Sequence, residues 1–471
     1  MLNLRYYQSD AIQALYDYWN KGIGKYPLLE LPTGAGKSVI IGRIIQDVCQ
    51  SGDRVLNLTH VAELLEQNMS KAKLLSPRTD MGLFCAGLGK KQLYNQVVFA
   101  SVQSIANKIH RGNPFDVVII DECHLIGRND QTRYGQTLGM LRKMNPNVRI
   151  VGTTATPYRL DSGLLYEGST ALFDGIAYSI PITELIEKGF LAPAVSKGGI
   201  RNIDLSGVHK RGGEFISGEL ARAASDPELV EEVADEVCLY GQNRHSWLLF
   251  ACGINHAEML KDAFRRRGVA AEVLTGDTDK GKRLDIQNRF KYGRLKCLIN
   301  IETLTTGVDF PNLDLVAIVR ATMSTSLFVQ MVGRGLRTAN QSYFATDKKD
   351  CLILDYGNNF CTHGTLDNLT PVNKNSKRNK GEGESEAPAK TCPNCRIVCH
   401  ASARQCTDCG YEFPPPEFQH ETKAYSGAIF EAQEKPTYGM LVFRPDFIKR
   451  ENANGAYLQE TAFVQTKEGK R

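Results

Sequence analysis

The run Leu31-Pro32-Thr33-Gly34-Ala35-Gly36-Lys37-Ser38 constrains this chain more than any other. It stands between Pro27-Leu28-Leu29-Glu30-Leu31, a short strand by its apolar character, and an apolar helix beginning at Val39. A glycine loop between strand and helix turns backbone N–H groups inward at the positive end of the helix dipole, which makes a cradle for phosphate oxygens. Thr33, Gly34, Ala35 and Gly36 supply that backbone. Lys37 reaches the β- and γ-phosphates of a nucleotide, and Ser38 sets its hydroxyl on Mg²⁺. Leu31 stands where the general pattern has its first glycine.

Asp121-Glu122-Cys123-His124 answers the loop. It follows Val117-Val118-Ile119-Ile120, a β-branched run of the kind buried inside a parallel sheet. Acids at the C-terminal end of such a strand sit where open α/β sheets bind ligands. Asp121 is expected to hold Mg²⁺ through its water shell, and Glu122 to polarise an attacking water. Two buried carboxylates with no cation between them would repel each other. Loop and acid pair together predict binding and hydrolysis of a nucleoside triphosphate, ATP first among them.

Further along, the chain resembles superfamily 2 helicases of the DExH type over about residues 3–357. Arg5-Tyr6-Tyr7-Gln8 resembles the adenine-recognition element, with Gln8 on the base. Val55-Leu56-Asn57-Leu58-Thr59-His60, followed by Glu63 and Gln67, resembles motif Ia, and Val98–Gln103 resembles motif Ic. Thr154-Ala155-Thr156-Pro157 is similar to motif III, Leu304–Asp309 to motif V, and Gln330–Arg337 to motif VI. The resemblance implies an arginine finger at Arg337 with Arg334 beside it, nucleotide contacts from Gly307 and Asp309, and coupling through His124, Thr154, Thr156 and Gln330. Thr59, Ser101, Thr305 and Thr306 become candidate contacts to a nucleic-acid strand; each also fits a helix-cap role. Both arginines lie about 300 residues beyond Lys37, so a second domain must deliver them. Within the superfamily the motifs lie nearest RadD-type bacterial DNA-repair helicases and their phage relatives.

The implied fold is α/β: two tandem RecA-like parallel-sheet domains, a small C-terminal zinc module and a short β-rich tail. Expected boundaries are 1–195, 196–370, a linker at 371–391, the module at 392–413 and the tail at 414–471. Strand candidates are Arg54–Leu58, Val97–Ser101, Val117–Ile120 and Val148–Gly152. In the second domain they are Ser246–Ala251, Ala271–Thr275, Lys296–Ile301, Leu315–Val319 and Cys351–Tyr356. The polar, glycine-bearing stretch Asn202–Asp226 reads as a junction loop. Residues 371–391 mix lysines and glutamates with almost no apolar side chains, the composition of a mobile tether.

Of thirteen cysteines, eight are scattered and five crowd between Cys392 and Cys409. Cys392-Pro393-Asn394-Cys395 and Cys406-Thr407-Asp408-Cys409 form paired CxxC knuckles, the spacing of a closed structural Zn²⁺ site. Cys399 and His400 stand between them as bystanders. Beyond, Tyr438–Phe443 and Ala456–Phe463 read as strands around Asn452–Gly455, a hairpin turn signal. A net charge of +5 proves no nucleic-acid partner; a motor needs a local groove. Met1-Leu2-Asn3-Leu4 carries no secretory pattern, no 18-residue apolar run exists, and scattered thiols fit a reducing cytoplasm. These readings predict an ATP-dependent DNA helicase or translocase of repair, recombination or replication, with RNA left open as the strand. A protein partner at the zinc module is part of that reading. The alternative is an ATP-gated DNA-binding or loading protein without processive unwinding.

Overall fold

Each central strand is buried on both faces, and that requirement sets the architecture. Val117 and Ile119 enter one apolar cluster while Val118 and Ile120 enter another, so a continuous apolar run serves both sides of one sheet. The computed structural model describes residues 3–60, 62–126, 132–159, 163–168, 171–301, 309–369 and 388–414. It also describes the backbone of 446–452, 455–461, 465–466 and 469–470.

The first sheet contains β1 (Pro27–Glu30), β2 (Val55–Thr59), β3 (Met81–Cys85), β4 (Lys90–Lys91), β5 (Val97–Ser101), β6 (Val117–Asp121), β7 (Arg149–Thr154) and β8 (Gly175–Ser179). Their order is β8-β1-β7-β6-β2-β5-β3-β4, parallel except for the two-residue β4. The second sheet contains β9 (Ala194–Gly198), β10 (Trp247–Phe250), β11 (Ala271–Leu274), β12 (Cys297–Asn300), β13 (Leu315–Ile318) and β14 (Cys351–Asp355). Their order is β9-β14-β13-β10-β12-β11, parallel throughout. These are two tandem RecA-like sheets, here called the first and second lobes.

Helices cover the sheets through one face each. In α2 (Lys37–Gln50), Ile40, Ile41, Ile44, Ile45 and Val48 are buried together. Gly42 on α2 lets the next helix, α3 (Ala62–Leu75), come close: a Cβ there would stand 3.3 Å from the Ala72 Cα. No helix among the described residues is long and apolar enough to cross a membrane.

Three expectations change. Asn202–Asp226 is not a bare loop: Lys210–Arg211 pairs with Glu214–Phe215, and Ser217–Ala224 is helical. The cause is distant in sequence. The Glu214 carboxylate accepts from the Thr322 hydroxyl (2.7 Å) and from the N–H groups of Met323 (2.9 Å) and Ser324 (3.1 Å), at the entrance of the helix Thr325–Gly333. Ala389–Thr391, assigned above to the linker, is a strand paired with Val398–His400; residues 371–387 lie outside the described residues. In the separate unit Pro415–Arg471, the hairpin partner of Gly455–Thr461 is Asp446–Asn452. Tyr438–Phe443 lies outside the described residues.

The second lobe buries a histidine with one ring nitrogen used. His256, in the helix Ile254–Arg266, accepts the Cys252 N–H at Nδ1 (3.2 Å). Burial pushes its pKa down to about 4. In the unfolded chain the ring titrates near its ordinary value of about 6.5, so acid favours the unfolded state between those two values. Stability from this residue is complete above about pH 6.5 and falls as pH drops toward 4. Between pH 7 and pH 5 the loss from His256 alone is about 2 kcal/mol. Urea unfolding of His256→Gln at both pH values should show a shallower acid loss than the parent by that amount. An identical parent-to-variant difference at pH 7 and pH 5 would refute it.

Candidate nucleotide site and metal centre

The phosphate loop is bent by two glycines in left-handed backbone, Gly34 (φ 89°) and Gly36 (φ 82°), and α2 starts at Lys37. Gln8 braces it from the first helix, α1 (Tyr6–Asn20). Its Nε2 donates to the Ala35 carbonyl (3.1 Å) while its Oε1 accepts the Arg5 N–H (3.0 Å). The Tyr7 hydroxyl donates to the same Ala35 carbonyl (2.9 Å). Gln8 is buried, with both ends of its amide engaged by the chain.

The acids sit at the C-terminal end of β6, two strands from β1. Asp121 is buried and held on three sides: by the Thr153 hydroxyl (2.9 Å), the Asn68 amide (3.0 Å) and the Glu122 N–H (3.0 Å). Burial first, and the Glu122 charge second, push its carboxyl above the usual range. Glu122 occupies left-handed backbone (φ 50°), a conformation that costs a non-glycine residue energy and recurs at active sites. Lys37 Nζ lies 3.6 Å from its Oε1 and His124 Nδ1 lies 3.4 Å from its Oε2. The Asp121 and Glu122 carboxylates, on one cavity with Ser38, are a hard oxygen donor set suited to a magnesium-bound nucleotide.

His124 joins the lobes. The Thr154 hydroxyl gives its proton to the Thr156 carbonyl (3.0 Å), so it must accept from His124 Nδ1 (3.0 Å). That network assigns the proton to Nδ1 and leaves Nε2 to accept from the Gln330 amide (3.4 Å) of the second lobe. A second crossing links the Thr156 and Ser326 hydroxyls (2.7 Å).

The second lobe brings Arg334 and Arg337 to the same place. With Thr33, Gly34, Gly36, Lys37, Ser38, Asp121, Glu122, Asp309 and Gln330 they line one cavity of about 390 Å³. Arg334 is buried; desolvation, reinforced by the Arg337 charge, lowers its pKa to about 9. Arg337 Nη1 donates to Asp309 Oδ1 (2.5 Å). The lobes touch closely: a Cβ on Gly333 would stand 2.5 Å from the Thr33 Cβ. Thr305, Thr306 and Gly307 lie outside the described residues. Thr59 and Ser101 are register partners at the ends of β2 and β5, and both are buried. The Ser101 hydroxyl is spent on the Ser104 hydroxyl (2.7 Å).

Sequence reasoning missed Asn68, Thr153 and Ser326. One signal existed: Asn57 interrupts an apolar strand, and its buried amide supports Asn68 (3.3 Å), which in turn holds Asp121. Ser326 carried none, since its partner is 170 residues away.

The four cysteines of the paired knuckles converge. The Sγ atoms of Cys392, Cys395, Cys406 and Cys409 all lie within 4.8 Å of one another. Cys392 and Cys409 are 3.6 Å apart, and Cys395 and Cys406 3.5 Å. Zn–S bonds of about 2.3 Å in a tetrahedron require sulfur separations of about 3.8 Å, so the set fits that ion. The two knuckles repeat one geometry. Arg396 N–H donates to the Cys392 carbonyl (2.9 Å) as Gly410 N–H does to Cys406 (3.1 Å). Cys392 N–H donates to Ile397 (2.9 Å) as Cys406 N–H does to Tyr411 (2.8 Å). Both fifth residues are left-handed, Arg396 at φ 62° and Gly410 at φ 72°. Backbone N–H groups of Cys409 and Asp408 pull the Cys406 thiol down to about 6, toward the thiolate a metal needs. Cys399 and His400 stay outside the cluster.

The cysteine module is docked on the second lobe. Gly198 N–H donates to the Arg396 carbonyl (2.9 Å), and Lys197 bridges Ile397 across the free edge of β9. Arg396 pairs with the buried Glu236 and donates to the Tyr240 hydroxyl (3.0 Å), both on the helix Pro227–Tyr240. Removing one partner of a buried ion pair costs about 3–5 kcal/mol. Arg396→Ala should therefore lower the stability of the second lobe by that amount in urea unfolding at pH 7. A loss below about 1 kcal/mol, the range of exposed pairs, would mean that the module contributes no firm contact.

The profile of the type III restriction enzyme res subunit matches residues 1–159, and that of the helicase conserved C-terminal domain matches residues 229–339. A Saccharomyces cerevisiae protein named as the ATP-dependent helicase IRC3 is 29% identical over 75% of this chain and 51% of its own. A Lactococcus phage 51.5 kDa protein is 25% identical over 84% of this chain and 79% of its own. The chain spans about half the length of IRC3 and 57% of a similar Schizosaccharomyces pombe protein named as a mitochondrial helicase. Among solved structures, a fragment named as the HsdR subunit of a type I restriction enzyme from Vibrio vulnificus has a TM-score of 0.58. It is 22% identical and covers 78% of this chain and 67% of that one, a likeness of fold. With the two profiles in order on two lobes that share one cleft, the chain belongs to the superfamily 2 DExH-type helicases.

Proposed function

We propose that this chain is an ATP-dependent DNA helicase or translocase whose two lobes close on ATP and reopen after hydrolysis. The observation that carries the reading is the shared cavity, with Lys37 and Glu122 on one wall and Arg334 and Arg337 on the other. Mg²⁺ entering with ATP would screen the phosphate charge. Ser38 and Asp121 are the residues to hold it. Lys37 grips the phosphates, Glu122 draws a proton from the attacking water, and Arg337 leaves Asp309 to stabilise charge on the γ-phosphate. His124 with Gln330, and Thr156 with Ser326, tie lobe position to the acid pair.

DNA is the favoured strand because several relatives are named as restriction-enzyme or UvrABC subunits. The restriction enzyme LlaBIII, similar in fold (TM-score 0.54, 16% identical, 80% of this chain and 28% of that one), was solved bound to DNA. Thr59 and Ser101 mark the C-terminal end of the sheet where the strand would lie, and His60 after β2 and Gln103 in the short helix Val102–Ile105 would meet it first. Thr305 and Thr306, outside the described residues, are proposed strand contacts on the motif resemblance alone. The resemblance of the motifs to RadD-type helicases supports a role in DNA repair, and the scattered thiols support a cytoplasmic setting. Zn²⁺ held by Cys392, Cys395, Cys406 and Cys409 would stiffen the docked module, and a repair or replication partner would bind through it.

ATP hydrolysis should rise with single-stranded, duplex or forked DNA at a stated salt concentration, and disappear in Lys37→Ala and Glu122→Gln. Arg337→Ala should lower kcat by about 10³-fold, the scale of an arginine finger. A rate indifferent to every DNA and RNA would overturn the reading. Tight ATP-dependent DNA binding with neither strand nor triplex displacement would make the chain a gated binder instead.

A further inference from the structure

We propose that the segment joining the lobes, Phe190-Leu191-Ala192, is a positioning element that carries nucleotide occupancy of the first lobe to Arg337 of the second. This rests on reading the cleft as an ATP site. A passive tether between moving domains is expected to be exposed and polar. This one is apolar and hydrogen-bonded on both sides, with Leu191 and Ala192 buried and Phe190 half-buried.

Its three residues touch three parts of the cleft in succession. Phe190 lines the cavity together with Arg5, whose guanidinium lies 5.0 Å from the phenyl centroid and donates to the Phe190 carbonyl (3.4 Å). The Tyr7 ring packs edge-on against Phe190 (5.3 Å) and carries the hydroxyl that bonds Ala35 of the phosphate loop. Leu191 is 1% exposed, and its Cδ2 lies 2.9 Å from where a Cβ on Gly34 would stand. The same residue bridges Arg337 in antiparallel backbone pairing. Ala192 N–H donates to the Leu336 carbonyl (2.7 Å), and Leu336 is buried in the first lobe's apolar cluster beside Leu191.

The arrangement works as a lever. Phosphate in the loop fixes the Gly34 backbone. Leu191 rests on that backbone, so its position follows the loop. The pairing at Leu191 and Ala192 then sets where the Leu336–Arg337 backbone stands, and therefore whether the Arg337 guanidinium reaches the cleft or stays on Asp309.

The test uses the full chain, DNA-stimulated ATP hydrolysis across ATP concentrations, and equilibrium binding of a fluorescent ATP analogue. Leu191→Ala should lower kcat about 10-fold or more while the analogue's Kd stays within about 3-fold, a loss confined to the transition state. Leu191→Met, which conserves volume, should restore kcat to within about 2-fold. Should Leu191→Ala fail to fold by thermal melting, Ala192→Pro decides, because it removes the N–H to Leu336 and keeps the apolar side chains. Its expected result is the same kcat loss at unchanged Kd. An unchanged kcat in the folded variant, or a Kd that rises as far as kcat falls, overturns the lever. Lys37→Ala separates the two readings: if it keeps its ATPase activity, the ATP site itself is misplaced, whereas if it is dead while the linker variants are normal, only the lever falls.

Discussion

Charge held out of water governs this molecule. Asp121 and Glu122 on the first lobe, and Arg334 on the second, are mostly hidden from solvent. Desolvation pushes Asp121 up and Arg334 down, each toward its neutral form. Each lobe supplies part of its own counter-charge, Lys37 beside Glu122 on the first and Asp309 beside Arg337 on the second. The Glu122 charge also favours the charged form of Arg334 from across the cleft, which is where a nucleotide's phosphates would lie. The strained Glu122 backbone is consistent with a carboxylate aimed for chemistry at some cost to stability.

The cysteine module solves a different problem. β9 is the edge strand of the second sheet, with backbone groups open to pairing. The Lys197–Ile397 bridge and the Gly198–Arg396 bond cover part of that edge. Arg396 is chosen by two demands at once. Its backbone must turn left-handed to close a knuckle, which glycine would do at less cost, yet its guanidinium must reach Glu236. Gly410, at the matching place in the second knuckle, meets only the first demand.

The central strands were legible because burial on both faces writes an apolar run into the sequence, as in Val117–Ile120 or Leu315–Ile318. The edge strand β11 was read as well, but three others at or near the edges were not. β3 (Met-Gly-Leu-Phe-Cys), β8 (Gly-Ile-Ala-Tyr-Ser) and β9 (Ala-Val-Ser-Lys-Gly) carry glycines or polar residues, and their pairing is decided by neighbours. The phosphate loop, acid pair and cysteine knuckles were legible because their spacing is the chemistry. Contacts between residues far apart in sequence were hidden: Glu214 capping Ser324, Arg396 on Glu236, Leu191 against Gly34. Gln8 shows the limit most clearly. A motif assigned it to a base, while the structure engages its amide in bracing the loop.

Two bonds that cross between the lobes are weak ones. An imidazole–amide contact of 3.4 Å and a hydroxyl–hydroxyl contact of 2.7 Å are neutral pairs, each worth about 0.5–1.5 kcal/mol net. The proposed opening and closing of the cleft needs that weakness. An interface dominated by large apolar burial would stay shut after hydrolysis, and one with no contacts would not report the nucleotide to the other lobe. Geometry supplies the specificity that energy does not: the hydroxyl of Thr154 has a single proton, already given to Thr156, so His124 has one way to face it and one way to meet Gln330. Closure is therefore strict in register and shallow in free energy, the combination from which a ligand of modest differential affinity can draw a full change of state.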